Sequence, residues 1–228
     1  MQQPLLVARS LLAGSLLRTG LWIVTVYAAL TLAALIGTNA YGELVLPFYG
    51  WELGWIAPNY EIEKLEVDRS GMQPWFTVRV EDRELGFIDG RLRPVGGMEC
   101  SILVMHGLQH VVLLLLVPLA WPGLNWKRRL MAIAVAVPLL FMVEFADIPW
   151  AIVGSFDNEK AYLTHGPSSL AMTWTEILNT GGRLALGLAG GLVACGITLA
   201  MGDSRGSQPS VGIFRSHSLR PGKRRTRR

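Results

Sequence analysis

The chain has 228 residues, of which 51% are hydrophobic and only 17% charged, with a mean hydropathy of +0.36; that is too apolar for an ordinary soluble domain of this length. The net charge of +4 is local, because residues 203–228 carry eight Lys or Arg against Asp203 alone. Beside apolar spans, such a tail points to a cytoplasmic end touching anionic lipid rather than to nucleic acid. Two cysteines, Cys100 and Cys195, exclude a disulfide framework and a CxxC metal pattern, and no cofactor is implied.

Residues 1–20 are leucine-rich but interrupted by Arg9 and Arg18, as suits a cytoplasmic interfacial segment. Residues 21–38 form the first predicted span, close to the lower length limit for crossing a bilayer core of about 30 Å. Thr38-Asn39-Ala40 faintly matches a signal-peptidase site. The long basic lead-in and the length of the apolar run favour a retained anchor over a cleaved leader. Residues 39–99 change character, with eleven Asp or Glu against six Lys or Arg, and read as an extracytoplasmic module. It opens on an aromatic stretch, LPFYGWELGWIAP, of the kind that settles at a membrane interface. Strand-like runs over 61–68, 75–81 and 84–88 follow, divided at Ser70-Gly71 and at Asp82-Arg83, and predict a small antiparallel sheet. Phe76, Val78 and Val80 alternate with Thr77, Arg79 and Glu81, the period of a strand with one covered face.

A second span is expected over 100–121 and a basic turn over 122–129, carrying Lys127, Arg128 and Arg129. A third span over 130–154 contains Pro138 and Pro149, either of which can kink it. An outer loop over 155–181 holds His165 and a short surface helix near Met172. A fourth span covers 182–201, and 202–228 is the basic tail. The fold expected is therefore a mainly α membrane protein, with four transmembrane helices and a small extracytoplasmic antiparallel β module. The positive clusters before the first span, between the second and third, and after the fourth agree on one topology, with both ends cytoplasmic.

Ionisable groups at membrane depth are expensive and usually face one another, a cavity or a protein interior. His106 and His110 share a helix face at i, i+4; the pair has the spacing of a zinc hydrolase motif, but Gly107 stands where its glutamate would be. If any residues here held a metal it would be these two. Glu144 and Asp147 share a face at i, i+3. Counting about 1.5 Å per residue from the predicted span ends puts His106 and Glu144 at one depth, with Arg183 in reach of Asp147 and His110 deeper. The expectation is a polar layer in which His106 meets Glu144, acting as a site or as a structural network. Gly187, Gly191 and Cys195 recur every four residues, a small-residue stripe for close helix packing. Cys100, at an expected outer helix end, is a candidate nucleophile if a base or cation activates it.

Cys100-Ser101, the basic turn Lys127-Arg128-Arg129 and the following Pro138 span resemble the exosortase and archaeosortase family of membrane-embedded sorting peptidases. That resemblance implies Cys100 as nucleophile, with His165 or His106 and Arg183 in support. Where the family has an arginine in the next span, this chain has Glu144, Phe145, Ala146 and Asp147. In overall layout, one anchor, a strand-rich outer segment and a few further spans, the chain resembles the exosortase-associated membrane proteins. This implies an accessory subunit of a bacterial inner-membrane assembly linked to surface-protein sorting, with the bilayer and a membrane protein as partners. The alternatives are a cysteine peptidase or transpeptidase of exosortase type, and a proton- or metal-handling subunit that uses His106, His110, Glu144 and Asp147 as a relay.

Overall fold

The computed structural model describes residues 3–88 and 91–203; the basic tail and its expected contact with anionic lipid lie outside the described residues. The chain is mostly helical. It folds as a long helix α1 (Gln3–Ile56), three strands β1 (Tyr60–Asp68), β2 (Trp75–Ile88) and β3 (Arg91–Leu103), then helices α2 (Val104–Ala120), α3 (Trp126–Phe145), α4 (Ile148–Thr164), α5 (Leu170–Ile177) and α6 (Arg183–Asp203). Three helical stretches, Leu16–Ile56, Trp126–Thr164 and Leu170–Met201, are long and apolar enough to cross a membrane, and the apolar α2 is shorter. At about 1.5 Å per residue α2 spans about 26 Å, just under a bilayer core.

The first helix does not stop where the polar residues after Gly37 suggest. Thr38 folds its hydroxyl back onto the Ala34 carbonyl at 2.8 Å, so it breaks nothing. Beyond it Tyr41, Val45, Tyr49 and Leu53 recur every four residues on one face and join the core under the sheet. The aromatic stretch is thus the end of α1 and not an irregular interface segment. Ala57 precedes Pro58, which disfavours helical dihedrals at that residue and ends the helix.

The sheet is an antiparallel meander in the order β1-β2-β3. The expected Ser70 turn is present, with Asp68 accepting from the Ser70 amide at 2.8 Å; that bond holds the exposed Asp68 carboxyl below its ordinary range. The expected break at Asp82-Arg83 is instead a register irregularity between Asp82 and Leu85 inside one long strand, a bulge of the kind that bends strands without ending them. The third strand, missing from the sequence reading, pairs Met98 with Val80, Cys100 with Val78 and Ile102 with Phe76. These face the core while Arg79 and Glu99 pair on the wet side at 2.5 Å.

Cys100 and Ser101 therefore lie on a strand, and the helix after them begins at Val104. Its first amide donates to the Pro74 carbonyl at 3.1 Å, which replaces a side-chain cap. At the other end, Gly123 takes a positive φ of 86° in the turn. Asn125 caps α3 by accepting from the Arg128 amide at 2.9 Å. Arg129 closes α2 by donating to the carbonyls of Leu119, Leu124 at 3.0 Å and Trp121 at 3.3 Å. The basic turn is thus also a cap.

The predicted third span is two helices. Pro149 has no amide for the Phe145 carbonyl, the chain breaks at Ala146 and Asp147, and the freed Ala146 carbonyl accepts from the Trp174 indole at 2.6 Å. The expected outer loop is largely helical, with α4 running to Thr164 and α5 standing where a surface helix was expected. A π-helical turn, Leu178–Gly182, kinked at Gly181 (φ 120°), joins α5 to α6. At the centre, α2 packs against α1, α3 and α6.

Candidate functional site

Where α2, the α3–α4 break and α6 converge, Asp147 is fully buried and receives two partners. Arg183 Nε donates to its Oδ1 at 2.9 Å and to its Oδ2 at 3.1 Å, and His110 Nε2 bonds Oδ2. Arg183 also donates through Nη1 to Asn179 Oδ1 at 2.7 Å, one helical turn earlier. His110 Nε2 and Asp147 Oδ2 share one hydrogen bond, whose donor is set by the histidine tautomer. One carboxylate thereby ties three helical segments together.

The expected pairing of His106 with Glu144 is replaced by that of His110 with Asp147. The reason is the extra strand: α2 begins at Val104, four residues and about 6 Å later than expected, so the depth assigned to His106 belongs to the histidine one turn on. His106 is half-buried, with its Nδ1 unpartnered, on the sheet side of the layer. Glu144 turns to α1, where Tyr49 donates to its Oε2 at 2.6 Å.

That contact belongs to a second cluster absent from the sequence reading. Glu52 on α1 is fully buried with both carboxylate oxygens unpartnered, as is Glu144 Oε1. The Tyr41, Val45, Tyr49 repeat at four-residue spacing was the signal that would have placed Glu52 on a helix rather than at an interface.

Of the residues in the peptidase pattern, His106 and Arg183 line one pocket. Arg183 is held by Asp147 and Asn179. Cys100 sits half-buried on β3; burial, reinforced by Glu159, pushes its thiol above the ordinary range, against a lowering contact with Ser155. His165 is the left-handed C-cap of α4 (φ 51°), ten residues and about 15 Å along the helix from Ser155. His110 Nε2 is taken by Asp147, and no group of three or more His, Cys, Asp or Glu is placed to hold a metal among the described residues.

The small-residue stripe packs inside the bundle. A Cβ on Gly187 would lie 3.0 Å from Leu113 Cβ, and one on Gly191 would lie 2.8 Å from Val117 Cβ, so both glycines admit α2. Cys195 is buried in line with them and serves as a small apolar residue.

Between the sheet and this layer lies an open pocket of about 210 Å³, lined by Trp75, Ser101, His106, Ser155, Asn179 and Arg183 among others. These features define a mostly helical protein with three long apolar helices, a three-stranded antiparallel sheet and buried ionic clusters between helices. Comparison with family models, with curated proteins and with solved structures found no match for this chain.

Proposed function

We propose that the chain is a small polytopic protein of the bacterial cytoplasmic membrane, with four spans including the short α2, both ends cytoplasmic and the sheet outside. Its role is that of an accessory subunit in a membrane assembly linked to surface-protein sorting. The topology rests on the positive clusters around residues 9–18, at 127–129 and after residue 203.

The observation that carries the accessory role is the uncovered surface of α1. Only 6% of its most apolar window is buried within the chain, against 33% in each of the other two long stretches. Leu21 and Trp55 are separated by about 51 Å along the helix, more than the full thickness of a bilayer with its headgroups. Lipid around Leu21 therefore leaves Leu44, Trp51 and Trp55, which are 65–78% exposed, above the hydrocarbon. Apolar surface of that kind marks a protein interface. In the test, tagged protein is purified from native membranes in mild detergent. A stoichiometric membrane partner that is lost on Trp51→Glu/Trp55→Glu, with the variant still inserted, supports the reading; an unchanged monomer in both sinks it.

A second reading, a proton-handling subunit, is favoured by the unpartnered carboxylate oxygens of Glu52 and Glu144, since ionisable groups inside a bundle mark relays. Under it, Glu144→Gln abolishes proton-linked function at normal protein abundance.

A further inference from the structure

The pocket over the ionic layer presents donors and no acidic side chain. None of the residues lining it is Asp or Glu, although Asp147 lies directly behind Arg183. Arg183, 6% exposed, spends Nε on Asp147 and Nη1 on Asn179. No acceptor is paired with its Nη2 among the described residues. Because Asn179 Oδ1 accepts from Arg183, its amide is fixed with the Nδ2 donor turned away from the guanidinium. His106 and Trp75 line the wall beside them. By contrast the Ser155 and Thr175 hydroxyls donate to the Ala151 and Ala171 carbonyls, each at 2.8 Å. A cavity in which a guanidinium edge, an amide and rings converge without a competing carboxylate matches an oxyanion, whose oxygens accept several charge-assisted bonds. Its volume accommodates one phosphate group with its first substituents.

We propose that this pocket binds a phosphate group, with Arg183 Nη2 and Asn179 Nδ2 as the principal donors. Two sources present that chemistry, a phospholipid headgroup and free phosphate. The headgroup source rests on the membrane placement proposed above, since the pocket lies where the sheet meets the bundle. The oxyanion itself does not depend on that placement.

The test uses the full chain in detergent, with inorganic phosphate and dihexanoylphosphatidylglycerol as separate probes. The basic residues after 203 attract any anion, so the reading is a difference between variants that keep this tail. Asn179→Asp retains the oxygen that accepts from Arg183 while replacing the free donor with negative charge. Ser101→Asp places a carboxylate on the exposed strand at the pocket wall. Like charge at this range in a partly desolvated site weakens binding by about tenfold or more. Saturable one-to-one binding of at least one probe, lost in both variants at unchanged thermal stability, supports the assignment; if Asn179→Asp fails to fold, Ser101→Asp alone decides. Binding of phosphatidylglycerol but not phosphate identifies a headgroup, and binding of phosphate alone identifies the free ion and removes the lipid source without touching the accessory role. Absence of a saturable component, or folded variants that bind as the parent does, overturns the proposal.

Discussion

Among the buried carboxylates of the described residues, Asp147 and Glu52 have opposite surroundings. Asp147 sits at a helix break, accepts from Arg183 and shares a hydrogen bond with His110, so its charge is matched and its oxygens are used. Glu52, on α1, has neither oxygen bonded. The difference teaches that burial alone does not say what a charged group does for a fold. A matched buried ion binds its neighbours together, and its loss strands a partner. An unmatched one is a burden on stability, retained for something other than stability.

The largest effect is expected at the matched site. Arg183→Met leaves Asp147 buried without its counter-ion, and such truncations cost about 3–5 kcal/mol. The prediction is a sharp fall in the folded fraction after detergent extraction, partly recovered by adding Asp147→Leu. Recovery separates a clasp from a site, because a functional dyad gains nothing from losing both members.

The helix contacts that hold the layer in place come next. A Cβ on Gly154 would stand 2.1 Å from Thr175 Oγ1 and 2.5 Å from the Ala171 carbonyl, backbone that cannot swing away. Gly154→Ala should destabilise by about 1–3 kcal/mol through overpacking, read as a lowered midpoint of thermal unfolding. A neutral result would mean that α5 is not seated on α4 as described.

A smaller change is expected at Cys100. Its thiol, raised by burial, should react with an alkylating reagent far more slowly than a free cysteine at pH 8, and gain reactivity only as the pH rises above the ordinary thiol range. Cys100→Ala should leave function intact; loss of function in folded protein would restore the peptidase reading.

Much of this architecture was legible in the sequence. The alternation of Phe76, Val78 and Val80 marked a strand, the small-residue stripe marked a packing face, and the reach of Arg183 to Asp147 followed from placing both near span ends. Three things were hidden. The third strand was masked by Pro94, Gly96 and Gly97, although Met98, Cys100 and Ile102 alternate as inward residues should. Missing it moved the start of α2 by about one turn, which was enough to select the wrong histidine. The continuation of α1 was hidden because Gly and aromatic residues suggest an interface, whereas the helix is held there by the sheet it packs against, a tertiary effect that no local propensity carries. With that helix went Tyr49 and Glu52, and so the second cluster.

The comparison between the two carboxylates is tested most directly by measuring thermal unfolding of Asp147→Asn and Glu52→Met side by side in one detergent. Asp147→Asn should be strongly destabilised, because it leaves the buried Arg183 without a counter-charge. Glu52→Met replaces an unpartnered buried polar group by an apolar one of similar length, and should be unchanged or more stable than the parent. A Glu52→Met protein destabilised as much as Asp147→Asn would contradict the account, since it would show that Glu52 has a stabilising partner.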